Sequence, residues 1–504
     1  MHEAAAHPAV EQLEAALTSD ALADRVEMVV RPVGRDGDVD LYRAATPAGS
    51  VEFARDRSGD RPTYAVRSTT GVDPLAVRDV DHLVGHAEER AHAHPRRADN
   101  AYPGAFDSIA QFFDSPRVPE LLAMHTAAHA YGGHLGQHGS LAVTQARAPF
   151  LAAGAGIRAR GLVDGSARTV DIAPTVAALL GVAPHPDGIG PTGRRRADAL
   201  LRRQDGDPIE AVLDGEHADH VVVLLLDGCN ANLLHDVIDA GEAPHLADLV
   251  ARGTGLRQGA IASLPTATLA NHTTAVTGAH PGHSGVLHNT WIDRRDGSVP
   301  DLLAYEQMFW AMRHLSPDVE TLFDAIERTW PGACTSATFE FCDTGATVSS
   351  FAMVRDGSAE GLPELQDVTH VDLDAAAASG EYAFMSRVDH VSVAHTVACW
   401  EREPGNELPR LSWCSLAVTD EAGHVSGPHG ELARAAVRDS DARVGEVLAA
   451  VERAGVLDRT AVVVMADHGM EQADPDVVRP WEDDLSDVGV PHRIVGDGLV
   501  YLDD

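Results

Sequence analysis

Three acidic residues stand just after apolar runs, and two of them travel with histidine. Asp227 follows Val221–Leu226, Asp420 follows Leu411–Val418, and Asp467 follows Thr460–Met465. Short runs of consecutive apolar residues read as buried parallel strands. Asp420 opens Asp420-Glu421-Ala422-Gly423-His424, and His468 directly follows Asp467. Carboxylates gathered at one sheet edge repel one another and need cations. Carboxylate plus imidazole is a donor set suited to Zn²⁺ or Mn²⁺. A single Asp at a strand end is ordinarily a helix cap or turn residue. Three such motifs in succession are far more specific.

A nucleophile lies between the first and second motifs. Leu264-Pro265-Thr266-Ala267-Thr268-Leu269-Ala270-Asn271-His272 leads into a helical stretch, Thr273 to Thr277, closed by Gly278. Thr268 is expected just before a helix start, where the dipole and free amides favour an anion. That setting suits a deprotonated hydroxyl and an incoming phosphoryl group. A threonine hydroxyl attacks poorly until a base or a metal lowers its pKa. An isolated threonine at such a place is ordinarily an N-cap, and Thr266 competes for the same role.

The elements that must position these residues are legible from His220 onward. Apolar runs alternate with helical stretches, roughly Ala231 to Ala251 and Gly430 to Ala454. The alternation predicts a doubly wound, mostly parallel α/β sheet flanked by helices. Ligands in such sheets bind at the carboxyl ends of the strands. Residues 290–405 interrupt the alternation and read as an inserted cap that sets specificity. Its aromatics Trp291, Tyr305, Phe309 and Trp310 either pack the cap or stack on a base or aryl group. Residues 184–218 are rich in Pro, Gly, Arg and Asp, with the run Arg194-Arg195-Arg196. They read as an exposed connection with one short helix at most. The expected divisions are 1–183, 184–218, 219–289, 290–405 and 406–504. Within the first, Val26–Arg31, Asp38–Ala44 and Thr63–Arg67 read as strands.

Bulk properties narrow the partners. The 504 residues carry 39 basic and 76 acidic side chains, a formal charge of −37, and every basic residue is Arg. Such acidity argues against polymeric nucleic acid. It admits a small phosphorylated substrate, because a bound metal inverts the local field. The five cysteines, Cys229, Cys334, Cys342, Cys399 and Cys414, show no CxxC spacing. A reduced, cytoplasmic compartment is expected. Met1–Glu14 lacks a basic stretch followed by an apolar run, and no apolar run is long enough to span a bilayer, so no membrane association is expected.

These motifs resemble the alkaline phosphatase superfamily. His220–Asn289 and Arg410–Met470 are most similar to its type I phosphodiesterase/nucleotide pyrophosphatase branch. The run from Thr268 to Gly278, followed by His280-Pro-Gly-His-Ser-Gly-Val-Leu-His-Asn289, resembles that branch's nucleophile loop, with Ala270 where the family usually has Pro. The resemblance implies that Thr268 is the nucleophile and that Asn289 steadies a phosphoryl oxygen. It implies one divalent metal among Asp227, Asp467, His468 and Thr268, and a second on Asp420 and His424. Imidazole-rich ligation favours Zn²⁺, and Mn²⁺ binds similar sets. The CxPxR loop of sulfatases is absent.

The family places a third histidine for the second metal after the Asp-His pair, inside an HG segment. Only 36 residues follow His468, and their single histidine is His492, in Val490-Pro491-His492-Arg493. A matching segment stands instead near the other end of the chain. Gly136-Gln137-His138-Gly139-Ser140, then Ala148–Ala152, then Thr169–Gly181 resemble the usual C-terminal part of the superfamily fold. The chain is therefore expected to be circularly permuted, with 184–218 as the covalent join and His138 completing the second site. Permutation is tolerated where termini lie close together on the surface. Otherwise His134 and His138 are surface histidines of a His-rich loop. His272, His283 and His429 lie near the motifs and are assigned no chemistry.

The expected reaction is metal-dependent hydrolysis of a phosphodiester or nucleotide pyrophosphate through a phospho-Thr268 intermediate. Asn289 and the Leu269 amide would hold the non-bridging oxygen. C–P hydrolysis similar to that of phosphonoacetate hydrolase, and phosphomonoester hydrolysis, would use the same motifs. Outside enzymes, the alternative is a binding protein that kept the fold and lost activity.

Overall fold

The computed structural model describes residues 7–363, 380–402 and 407–503. Its main sheet runs in the order Val348–Ser349, Thr335–Thr338, Leu411–Leu416, His220–Leu226, Thr460–Met465, Arg147–Gly154, Gly253–Ile261, Gly161–Val163. Neighbours are parallel except around Arg147–Gly154, which runs antiparallel to both of its partners. In the central strand, Val222, Leu224 and Leu226 enter one core and Val221, Val223 and Leu225 the other. Helices Ala231–Asp239, Pro244–Arg252, Gly380–Trp400 and Glu431–Arg453 cover the first face. Ile172–Leu180 and Leu322–Thr329 cover the second. Apolar residues on both faces of a strand are what a doubly wound sheet requires.

Four expectations change in detail. The helix read over Ala231 to Ala251 is two helices, because Gly241 turns left-handed at φ 75° and Pro244 starts the second. Residues 184–218 form no helix and are not a solvated strap: Leu201, Ile209 and Val212 are buried in the second core, and Gln204 and Asp205 are buried beside it. Only part of the stretch, including Arg194 and Arg195, is exposed. The cap read over 290–405 contains core elements, namely strand Thr335–Thr338 and helices Leu322–Thr329 and Gly380–Trp400; residues 364–379 and 403–405 of that range lie outside the described residues. The strand carries no apolar signal, because it reads Thr-Ser-Ala-Thr. Its hydroxyls pair internally, Ser336 Oγ to Ser412 Oγ at 2.9 Å and Thr338 Oγ1 to Thr396 Oγ1 at 2.7 Å.

The N-terminal segment divides as well. Arg147–Leu180 joins the main sheet and its second core, but the strands Val26–Asp36, Val39–Thr46, Gly49–Asp56, Thr63–Gly71 and Leu121–His125 build a separate antiparallel sheet. The C-terminal hairpin, His492–Val495 and Leu499–Leu502, adds to that sheet beside Leu121–His125. Helix Pro8–Leu17 packs Val10 and Leu13 against Trp481, Leu485 and Val500, so both ends of the described chain meet in one small core. No helix among the described residues is long and apolar enough to cross a membrane. All five cysteines are free and buried.

Candidate active site

Parallel register brings two of the acidic strand ends together. Leu225 pairs with Met465 and Leu226 with Leu416, so Asp227 and Asp467 project from the carboxyl edge side by side. The Gly228 amide donates to Asp467 Oδ1 at 3.0 Å. Gly228 has φ 60°, and a Cβ there would collide with Asp420, so glycine is what lets the third carboxylate close in. Asp420 and His424 share one face of helix Val418–Ser426, four residues apart. Asp389, from helix Gly380–Trp400, accepts from the amides of Ala417 and Val418 at 2.7 and 3.2 Å and so fixes the start of that helix.

The result is two triplets. Asp227, Asp467 and His468 form one, and His138, Asp420 and His424 the other; the donor atoms within each lie within 4.8 Å of one another. His468 Nε2 stands 3.1 Å from Asp467 Oδ2 and 3.8 Å from Asp227 Oδ1. His424 Nε2 stands 3.4 Å from Asp420 Oδ2, and His138 Nε2 3.8 Å from Asp420 Oδ1. The rings of His138 and His468 stack at 3.9 Å, so the triplets adjoin. His492 belongs to neither; it sits on the antiparallel sheet with Nδ1 on the Val490 carbonyl.

The donor chemistry fits divalent cations. Each of the three imidazoles places Nδ1 on a backbone carbonyl: His138 on Thr266 at 2.8 Å, His424 on Gly136 at 2.9 Å, His468 on Gly469 at 3.0 Å. That arrangement fixes the tautomer and turns the Nε2 lone pair into the site, as metal-bound histidines require. The Nε2 atoms of His138 and His424 face each other at 3.2 Å, so the two rings share either a proton or a metal ion. Asp227 Oδ1, Asp420 Oδ1 and Asp467 Oδ2 are shielded from solvent and have no hydrogen-bond partner. Burial, with the charges of Asp467 and Asp420, pushes the Asp227 carboxyl up to about 7, and burial pushes Asp467 up to about 6. Against the pull of burial, Asp420 raises His424 to about 9. Burial and the neighbouring His468 hold His138 well below the ordinary imidazole range.

Thr268 is the first residue of helix Thr268–Thr277, and its hydroxyl lies 3.4 Å from His468 Nε2. The whole helix is buried. Its threonines satisfy themselves locally: Thr273, Thr274 and Thr277 each donate to the carbonyl four residues back, at 2.8, 2.9 and 2.6 Å. Asn271 holds the preceding loop, accepting from the Ser263 amide and donating to the carbonyls of Ser263, Pro265 and Ala267. Thr266 is a tie, not a competing nucleophile. Its hydroxyl donates to the Ser140 carbonyl at 2.9 Å and accepts from the Gly139 amide at 2.8 Å, while its carbonyl receives His138. The expected oxyanion pair is also corrected. The Leu269 amide donates to Asn289 Oδ1 at 3.0 Å, so it orients Asn289 and is not free for a phosphoryl oxygen.

His272 and Glu340 join the site without having been assigned to it. His272 Nδ1 lies 2.9 Å from Glu340 Oε2, and Nε2 lies 3.7 Å from Asp227 and 4.0 Å from Asp467. Against burial, Glu340 and Asp227 hold the ring protonated well above its ordinary range. The pair turns the Nε2 side of the ring toward the two carboxylates of the first triplet. Glu340 stands just past Thr335–Thr338, a fourth acidic strand end, but the strand itself carries no apolar signal. His283 bridges Asp114 and Asp205 at 2.8 and 2.6 Å and is structural. Trp291 is fully buried, whereas Tyr305 is 74 % exposed.

A mostly parallel sheet with these triplets at its carboxyl edge defines an alkaline phosphatase-like fold. The chain belongs to the type I phosphodiesterase / nucleotide pyrophosphatase family, whose sequence model matches residues 221–503. His138 lies outside that span. An uncharacterized pyrophosphatase/phosphodiesterase of Schizosaccharomyces pombe is 23% identical over 253 residues, 50% of this chain and 44% of that protein. Murine ectonucleotide pyrophosphatase/phosphodiesterase 5 is similar at 20% identity and a TM-score of 0.35, over 50% of this chain and 58% of that one. An inactive variant of the murine protein is known in complex with AMP. Phosphonoacetate hydrolase from Sinorhizobium meliloti 1021, in complex with phosphonoformate, is 19% identical with a TM-score of 0.34, over 51% of this chain and 58% of that one. The match spans about half the length of these relatives.

Proposed function

We propose that the chain hydrolyses phosphodiesters or nucleotide pyrophosphates with two divalent cations, and that Thr268 is the nucleophile. One observation carries the reading: the Thr268 hydroxyl, at a buried helix start, faces His468 of one donor triplet while the other triplet stacks against the same ring. Asp227, Asp467 and His468, with Thr268, would hold one cation, and His138, Asp420 and His424 the other. The cations would supply charge neutralisation, a more acidic threonine hydroxyl and an activated water. Imidazole in both triplets favours Zn²⁺, with Mn²⁺ as the second fit.

Thr268 Oγ1 gives up its proton and bonds to phosphorus as the bond to the leaving oxygen breaks; the leaving oxygen takes up a proton, and the phosphoryl ester on Thr268 keeps the substrate's other substituent. Water then cleaves that ester and restores the hydroxyl. The helix start beneath Thr268 favours the anionic phosphoryl group. Asn289, held by the Leu269 amide, donates to a non-bridging oxygen. The His272–Glu340 pair steadies Asp227 and Asp467 from behind.

We also read the chain order as circularly permuted. Gly136–Gln137 pairs with Glu471–Gln472 just past His468, strand Arg147–Gly154 lies beside Thr460–Met465, and the family match begins at residue 221. Residues 184–218 would then be the join.

The test is a comparison of turnover on an aryl phosphodiester, its monoester and phosphonoacetate by the full chain loaded with Zn²⁺ or Mn²⁺. The diester is expected to be fastest, with activity lost to a chelator. Faster phosphonoacetate cleavage would replace the substrate assignment, and no metal-dependent hydrolysis of any of the three would overturn the enzymatic reading.

A further inference from the structure

We propose that Asp497, in the turn of the C-terminal hairpin, is a positioning residue for the hydrolysis: by holding His288 it sets Asn289 against the second triplet. The proposal rests on the reading of Asn289 as donor to a phosphoryl oxygen. The hairpin His492–Val495 and Leu499–Leu502 belongs to the antiparallel sheet, and its turn reaches the loops of the catalytic edge. Asp497 Oδ2 stands 3.4 Å from Nε2 of His288, the residue before Asn289. The same carboxylate lies beside Gly139, the residue after His138: a Cβ there would stand 3.6 Å from Oδ2. One side chain therefore sits between the loop that carries Asn289 and the loop that carries a second-triplet donor.

His288 is placed to pass that hold on. Its buried ring accepts from the Thr290 amide through Nδ1 at 3.3 Å, so the imidazole braces the backbone on both sides of Asn289. With Nδ1 as acceptor, the ring carries its proton on Nε2, toward Asp497. The Asn289 carbonyl accepts from the Leu302 amide at 2.9 Å, and its side-chain oxygen accepts from the Leu269 amide. Asn289 is thus framed by two backbone amides and by one neighbouring ring. The amides are fixed by their own segments, whereas the ring needs a partner at Nε2 to stay in place. Asp497 is that partner.

The turn is shaped for this approach. Gly496 has φ 57°, and a Cβ there would stand 2.7 Å from His288 Nδ1, so glycine lets the turn seat on the ring. On its other side the Ala123 amide donates to the Gly498 carbonyl at 2.9 Å. His125, on the same strand as Ala123, has Nε2 2.9 Å from the His138 carbonyl. Strand Leu121–His125 therefore supports both the hairpin and the His138 loop. The Asp497 side chain is 39% exposed, and an ion pair that open to solvent contributes little to stability. Orientation is the role left to it.

The experiment is a double-mutant cycle on kcat for an aryl phosphodiester, using the Zn²⁺-loaded full chain as Asp497→Ala, Asn289→Ala and the pair, with zinc content followed alongside. Asn289→Ala should cost about 10²- to 10³-fold. Asp497→Ala should cost about 10- to 100-fold in kcat, with KM and zinc content little changed. The pair should be no slower than Asn289→Ala alone, because Asp497 acts through Asn289. Asp497→Asn keeps an oxygen for the His288 N–H and should recover most of the rate. Losses that multiply in the pair, no recovery in Asp497→Asn, or wild-type kcat in Asp497→Ala would each overturn the proposal and leave the Asn289 reading standing. Wild-type kcat in Asn289→Ala would remove that reading and this one together. His288→Gln, run in the same cycle, carries the test should Asp497→Ala fold poorly.

Discussion

Asp227, Asp467 and His468 are buried, whereas His138, Asp420 and His424 are each partly open to solvent. The first triplet grows from two adjacent strands, and the hydrogen-bonded register of the sheet sets its geometry. The second draws on a loop from the N-terminal half and a helix from the C-terminal half, and nothing in the sheet aligns them. Separate ties do that work: Thr266 binds Gly139, Ser140 and His138, the Leu135 amide donates to the His424 carbonyl at 2.7 Å, and His424 returns to Gly136. The charge problem differs as well. Carboxylates crowd the first triplet and imidazoles the second. A centre made of neighbouring strand ends is rigid by construction, and one assembled across segments needs a hydrogen bond for each degree of freedom.

The strongest test of that contrast is the residue next to both triplets. Thr268→Ala should cost at least about 10³-fold in kcat while leaving metal content unchanged; near-normal turnover would remove the nucleophile assignment. His138→Ala should weaken one metal by more than about 100-fold, since even outer hydrogen-bond partners of ligands are worth about 10- to 100-fold. His492→Ala should leave both ions in place. Full metal occupancy in His138→Ala would undo the assignment of that residue, and with it the main reason for reading the chain as permuted.

Glu340→Gln should lower metal affinity at the first triplet alone by about 10- to 100-fold, because His272 loses the partner that holds its charge behind Asp227. Equal weakening at both triplets, seen by calorimetric titration, would show that the pair supports the edge as a whole. The smallest effect separates the triplets by pH. A proton on His424, raised to about 9, must leave before its cation binds, so affinity there should fall by about tenfold per pH unit as pH drops below 9. At the first triplet the competing proton sits on Asp227, at about 7, so its affinity should hold between pH 9 and 7 and fall only below that. Parallel pH profiles would erase the distinction.

Much of the main sheet was legible because buried strands advertise themselves as apolar runs. His220–Leu226, Leu411–Leu416 and Thr460–Met465 were found for that reason, and so were the acids that follow them. Thr335–Thr338 carries no apolar pattern because its polar side chains find buried partners, Ser336 on Ser412 of the next strand and Thr338 on Thr396 of helix Gly380–Trp400. Glu340 was hidden with it. Residues 184–218 misled in the opposite sense, since their Pro, Gly and Arg content looks like a linker while Leu201, Ile209 and Val212 are core.

By itself, the sequence determined the chemistry on offer: three carboxylates at strand ends, two of them with histidine, and a threonine ahead of a helix. Local pattern suffices there, because strand ends and helix starts are set by residues adjacent in the chain. Only the tertiary structure decided which groups meet. It brought His138 across 286 residues to His424, put Thr266 to work as a tie and set His272 behind Asp227. Those outcomes depend on packing between distant segments, which leaves no periodic mark in the sequence.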